Sequence, residues 1–172
     1  ILEEVQEEYG WMYNTFHTDG TVGKINYTVW SDVFICADCT KEVIFWEAAV
    51  DENAGKILDP FPCPHCNAEL IKRKLERAWT TIYDSSISET IKQAKQIPVK
   101  INYFIGKKRY DKVPDKSDIE LIEKIDKSTI PYWFPTNRMM EGKETRRNDK
   151  IGLTHVHHFY SKRNLWLLAA IR

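Results

Sequence analysis

Four cysteines fall as two matched pairs, Cys36-Ala37-Asp38-Cys39 and Cys63-Pro64-His65-Cys66, separated by 23 residues. A two-residue gap lets both thiolates of a pair face one ion while the backbone curls around it. Two such pairs supply the four sulfurs of a tetrahedral zinc site. Val33-Phe34-Ile35 before the first pair and Val43-Ile44-Phe45 after it are apolar and strand-like. That is the arrangement of a zinc ribbon, in which metal replaces a core too small to hold itself together. Disulfides would require an oxidising compartment. A redox dithiol would use one such pair at a helix start, and an iron–sulfur cluster is the remaining alternative. With all four positions filled by sulfur there is no open site for catalysis, so Cys36, Cys39, Cys63 and Cys66 are expected to hold a structural zinc. Asn67 suits the left-handed turn such knuckles need, and Thr40, at the equivalent place, suits it less.

The rest of the composition is that of a folded domain, 42% hydrophobic and 29% charged. Lysine plus arginine equals aspartate plus glutamate at 25 each, so any surface for an anionic partner must be local. No run reaches the roughly 20 apolar residues that span a bilayer. With no recognisable signal sequence and paired cysteines, the expected compartment is the cytoplasm. The opening residues read as a helix already under way, and Leu165 to Ile171 is apolar nearly all round. Both features suggest an excised piece of a longer protein.

The fold expected is α+β: a small antiparallel sheet, a four-cysteine zinc ribbon and flanking helices. Residues 1–23 read as a helix and turn, with Leu2, Val5, Tyr9 and Met12 on one face. Residues 24–84 form the ribbon region, with a strand from Lys24 to Ile35, a return strand over Val43–Trp46, and a third over Glu69–Tyr83 whose core residues are Leu70, Leu75 and Trp79. Residues 85–150 carry a hairpin turning at Gly106-Lys107, a helix over Asp115–Lys127 capped by Asp115 or Ser117, a proline-rich loop over 130–137 and a polar, mobile stretch from Met139 to Lys150. Between Ser85 and Lys95 the pattern fits either a short helix or a loop. Residues 151–172 end in a helix capped by Ser161.

Basic residues cluster at Lys72-Arg73-Lys74 with Arg77, at Lys107-Lys108-Arg109, and at Arg146-Arg147. Phosphate contacts need such cations, although surface charge is common in any domain. In an extended segment His155 and His157 would share a face, but no nearby carboxylate or cysteine in the sequence completes a metal site. His155, His157 and His158 are therefore expected to line a pocket or domain contact by hydrogen bonding. His65 reads as a solvent-facing filler. The seven scattered glycines offer no nucleotide cradle, and no nucleophile pairs with a base, so no catalytic residue is assigned.

Three runs resemble prokaryotic amino-methylating (adenine or cytosine amino) DNA methyltransferases: Lys24–Phe34 (KINYTVWSDVF), Ile130–Asn137 (IPYWFPTN) and His158–Trp166 (HFYSKRNLW). The likeness extends over essentially the whole chain, and the last run is the most distinctive. In that family such a region follows the adenosylmethionine-binding glycine motif and precedes the catalytic Pro-Pro-aromatic motif. Neither occurs here; Asp59-Pro60-Phe61-Pro62 has the wrong order and leads into Cys63. The resemblance thus implies S-adenosylmethionine as a cofactor of a parent enzyme only. It implies DNA as a partner through that enzyme, the remainder of the enzyme chain as a second partner, and a role in DNA binding or target recognition. A structural or protein-interaction ribbon without DNA contact is the alternative.

Overall fold

The computed structural model describes residues 2–172. In chain order, α1 spans Leu2–Tyr9 and runs into a 3-10 turn over Gly10–Tyr13; β1 is Asn14–Phe16 and β2 is Val22–Ile35. After the first cysteine pair come β3 (Glu42–Ile44), α2 (Phe45–Ala49), β4 (Val50–Asp51), β5 (Lys56–Ile57) and β6 (Phe61–Pro62). The second pair is followed by β7 (Glu69–Leu70), a 3-10 turn over Lys72–Lys74, β8 (Glu76–Arg77), β9 (Trp79–Asp84) and β10 (Glu89–Ala94). Then come β11 (Gln96–Ile105), β12 (Lys108–Lys112), α3 (Lys116–Lys127), α4 (Lys143–Asp149), a 3-10 turn over Val156–Phe159 and α5 (Lys162–Ile171). The fold class is α+β, with small antiparallel sheets and a four-cysteine cluster as expected. The chain divides into two compact units, residues 29–99 and residues 1–28 with 100–172.

In the unit of residues 1–28 and 100–172, the strand order is β1-β2-β11-β12, where β2 and β11 are the portions belonging to this unit. Its helical core joins Tyr9, Met12, Ile125, Ile130, Leu165, Trp166 and Ala169. The rings of Tyr9 and Tyr132 meet edge to face at 6.0 Å, and their hydroxyls are 2.6 Å apart, so the aromatic packing is also hydrogen-bonded. α3 starts as a full capping box. The Asp115 carboxylate accepts the N–H of Ser117 and Asp118, and the Asp118 carboxylate accepts the N–H of Asp115. The helical face of α1 is narrower than its pattern implies: Tyr9 and Met12 are buried, whereas Leu2 is 69% exposed.

Residues 158–166 act chiefly as fasteners within this unit. Lys162 Nζ donates to the Asp126 carbonyl at 2.8 Å. The Arg163 guanidinium donates to the Met12 carbonyl at 3.0 Å and to Thr28 Oγ1 at 3.3 Å, and lies over the Tyr13 ring. Tyr13 in turn donates to Asn164 Oδ1 at 2.7 Å. Leu165 and Trp166 fill the core. Ser161 stands at the N-cap position without a side-chain cap bond, so the cap role expected of its hydroxyl is not fulfilled. α5 buries one face only; Leu168 and Ile171 are exposed.

In the unit of residues 29–99, the end of β2 pairs with β3 through Phe34↔Val43 and with β8 through Phe34↔Arg77. The return strand stops at Ile44, and Phe45–Ala49 coils into α2, shorter as strand than the pattern of Val43–Trp46 suggested. Helical geometry lets Phe45 and Ala49, four apart, both face the core. The core comprises Phe34, Cys36, Val43, Phe45, Ala49, Phe61, Cys63 and Leu70. Phe45 meets Phe34 and Phe61 edge to face at 5.9 and 5.6 Å. The single strand expected over Glu69–Tyr83 is broken in three, by the Lys72–Lys74 turn and again at Ala78, with Leu70 buried but Trp79 45% exposed. The undecided stretch after Ser85 is a turn and then β10, not a helix.

Candidate metal centre

Each cysteine pair is shaped by the same local bonds. In the first, Cys36 N–H donates to the Lys41 carbonyl at 3.0 Å and Thr40 N–H to the Cys36 carbonyl at 2.9 Å. In the second, Cys63 N–H donates to the Ala68 carbonyl at 2.8 Å and Asn67 N–H to the Cys63 carbonyl at 2.9 Å. The chain turns back at the residue after each second cysteine, where Thr40 has φ 60° and Asn67 φ 62°. Asparagine accepts that left-handed backbone readily. A β-branched threonine does so at a cost, set against a hydrogen bond from its Oγ1 to the Cys39 carbonyl at 2.7 Å.

The two turns bring Cys36 Sγ within 3.7 Å of Cys66 Sγ and Cys39 Sγ within 3.8 Å of Cys63 Sγ. All four sulfurs lie within 4.8 Å of one another. Zinc–sulfur bonds of about 2.3 Å in a tetrahedron separate the sulfurs by about 3.8 Å. The observed spacings therefore match the edges of such a tetrahedron, and they are far from the roughly 2.05 Å of a disulfide. All four thiols are free. Cys36 and Cys63 are buried in the core of their unit, while Cys66 is exposed. A dication here would thus be walled by the Phe34, Phe45 and Phe61 side on one flank and approachable from the other.

Electrostatics around the sulfurs favour one thiolate, at Cys63, and oppose ionisation of Cys39 and Cys66. Desolvation raises the Cys63 thiol, but the N–H groups of His65 and Cys66 and the facing Cys66 and Cys36 sulfurs outweigh it and bring that thiol down to about 6. The Ala68 N–H pulls Cys66 down as well, yet desolvation and its sulfur neighbours outweigh it and push that thiol up to about 12. Cys39 is raised too, against the pull of the Lys41 N–H. Four thiols this close hold one negative charge easily and resist a second. A bound dication removes that resistance by stabilising every thiolate at once. His65 does more than fill space, since its Nε2 bonds to the Glu42 carbonyl at 2.9 Å and ties the second knuckle to β3.

The basic clusters differ in what is left for a partner. Arg77 is paired with Asp32 at 2.9 Å, Arg146 with Asp149 at 2.5 Å and Arg147 with Glu144 at 2.9 Å. The last two sit on α4, an ordered helix where the sequence suggested a mobile stretch. Lys72 lies over the Phe45 ring at 3.9 Å. Arg73 and Lys74 stand exposed beside it on the 3-10 turn. Lys107, Lys108 and Arg109 are exposed at the β11–β12 turn, where Gly106 has φ 59° and Arg109 stacks on Phe104.

The histidines are not in an extended run. Val156–Phe159 is a 3-10 turn that gathers all three rings, His157 and His158 having centroids 4.3 Å apart. His158 Nδ1 accepts the Thr154 and His155 N–H groups at 3.3 and 3.4 Å, placing any proton of the neutral ring on Nε2. Nothing in the sequence pointed to the cluster in which Lys112 and Thr15 meet the buried Asp118. Thr15 lies 103 positions from Asp118 along the chain, and no local pattern links them.

No protein-family model matches the sequence, and no curated protein or solved structure is similar to the chain. Among the described residues no helix is long and apolar enough to cross a membrane.

Proposed function

We propose that this chain is a zinc-braced region of an amino-methylating DNA methyltransferase, in which it grips DNA while methyl transfer takes place elsewhere in the enzyme. The metal part rests on the four sulfurs at tetrahedral spacing. The DNA part is carried by one observation, the β11–β12 turn. It projects Lys107 and Lys108, exposed and without a carboxylate partner among the described residues, on an antiparallel hairpin. Cations left unpaired are the ones that release counterions on meeting phosphate. The methyltransferase assignment comes from the three runs that resemble that family. S-adenosylmethionine would be bound by the parent enzyme, since no glycine cradle is present here. Such enzymes take the target base out of the stack and need a part that holds the surrounding strand.

A gel-shift titration of the zinc-loaded chain against duplex DNA at several salt concentrations tests the reading. Binding should weaken with salt, and a Lys107→Ala/Lys108→Ala variant should bind less tightly with a shallower salt slope. Absence of binding at low salt would reject the DNA-gripping role. A second reading, a structural or protein-interaction ribbon, is favoured by the ion pairs that neutralise Arg77, Arg146 and Arg147. It predicts no salt-sensitive DNA binding but the same dependence on zinc.

A further inference from the structure

β9 and β10 form a thin ribbon of their own, pairing from Trp79↔Ala94 to Asp84↔Glu89. Side chains alternate across a strand, so this register sorts the residues onto two faces. One face carries Trp79, Thr81, Tyr83, Thr90, Lys92 and Ala94. The ribbon's two carboxylates, Asp84 and Glu89, are on the other. All of the first face except Ala94 is exposed, Trp79 by 45% and Tyr83 by 67%. Lys92 stands directly opposite Thr81, midway between the two rings, and has no carboxylate partner among the described residues. The surrounding segment is locally cationic. Between 72 and 95 there are six basic residues against three acidic, in a chain whose charges otherwise balance.

We propose that this face binds unpaired DNA bases, with Trp79 and Tyr83 stacking two non-adjacent bases and Lys92 holding a phosphate of the strand between them. The inference rests on the DNA-gripping reading above and names the part of the molecule that meets an opened strand. Aromatic faces accept any base, and alternating rings and cations are how non-specific single-strand surfaces are built. The two rings are four residues apart along β9, about 13 Å. That is much longer than the ~3.4 Å step between stacked bases of a duplex strand, so the spacing suits an opened strand. A packed protein partner would be expected to want apolar neighbours around the rings, whereas Thr81, Thr90 and Lys92 surround them with hydroxyls and charge.

Fluorescence anisotropy with a labelled 12-nucleotide single strand and the matching duplex tests it, using the zinc-loaded 172-residue chain. The single strand should bind more tightly than the duplex. Trp79→Ala and Tyr83→Ala should each weaken single-strand binding about tenfold or more, with an unchanged melting curve, while Tyr83→Phe, which keeps the ring, should bind as the parent does. Lys92→Ala should lower the magnitude of the log–log salt slope by about 0.7. If the chain binds DNA and loses affinity in the Lys107→Ala/Lys108→Ala variant but not in the aromatic variants, the ribbon inference falls and the gripping role stands. Equal affinity for duplex and single strand likewise overturns it. If neither form binds, both fall together.

Discussion

Lys112 Nζ lies 2.8 Å from the carboxylate of Asp118, whose side chain is only 2% exposed. The same ammonium reaches Asp115 at 2.7 Å and the Phe16 carbonyl at 2.9 Å, and Thr15 Oγ1 donates to Asp118 at 2.6 Å. One cation thus joins β12, the end of β1 and the start of α3. A carboxylate this buried persists because every neighbour it has is a donor. Replacing Lys112 with methionine should cost about 3 kcal/mol or more, since it leaves a buried charge without its partner. Chemical denaturation of the variant gives the number, and a loss under 1 kcal/mol would contradict the role assigned.

The same cluster sets a pH dependence with two edges. Desolvation works against the charged form of Lys112, but its bonds to Asp115 and Asp118 prevail and raise it above its ordinary value. Its stabilisation is complete below the unfolded lysine value of about 10.4 and is lost as pH rises through the higher folded value. Asp115 is also opposed by desolvation, yet Lys112, the Ser117 hydroxyl and the Asp118 N–H hold it well below the usual carboxylate range. That contribution is present above about pH 4 and fades as pH falls further. Melting temperatures from pH 2 to 11 should decline at both ends, and Lys112→Met should remove the alkaline edge.

Metal removal should act on the cysteine unit first. Structural zinc contributes on the order of 10 kcal/mol to domains of this kind, against a core of eight buried residues, two of them ligands. We expect one zinc per chain by elemental analysis, and loss of the β-sheet signal of that unit on strong chelation or in Cys63→Ser. An unchanged melting curve after chelation would show that the apolar core suffices.

Thr40 offers a gain. Its φ of 60° is unfavourable for a β-branched residue, and the matching position of the second knuckle is Asn67 at φ 62°. Thr40→Asn should stabilise the chain by about 1 kcal/mol, without changing zinc stoichiometry. A destabilised variant would mean that the Thr40 bond to the Cys39 carbonyl outweighs the backbone strain.

Gly23 is required by its neighbour. A Cβ at that position would overlap the ring of Tyr103, a buried residue that packs across from it and whose hydroxyl bonds to His17 Nδ1 at 2.5 Å. Gly23→Ala should therefore cost about 1–3 kcal/mol through overpacking. In a Tyr103→Ala background the cost should fall to what the 3.1 Å approach to the Phe104 carbonyl imposes, which a double-mutant cycle would read directly.

Local signals carried far in this chain. The two-residue gaps identified the four cysteines that cluster, because a knuckle is built from five or six consecutive residues. The hairpin at Gly106 was legible for the same reason, and local pattern limits the cap of α3 to Asp115 or Ser117, of which Asp115 fills it. The reading failed wherever a local pattern competed with packing. Val43–Trp46 looked like one strand, but Phe45 and Ala49 reach the core together only if the chain coils at Phe45. The Trp79 side chain had the character of a core residue, yet the strand breaks at Lys72–Lys74 and at Ala78, and Trp79 stands on an exposed ribbon face.

What the amino-acid sequence alone determined is the four-cysteine cluster and the mixed α and β character, since both follow from spacing within a few residues. Only the tertiary structure decided that the sulfurs sit at tetrahedral distances, and that Arg77, Arg146 and Arg147 are neutralised while Lys92, Lys107 and Lys108 are not. It also decided that Arg163 is a half-buried fastener to Met12. The Arg146 and Arg147 pairs are local to α4, but the others depend on which distant residues meet, and no local pattern records that.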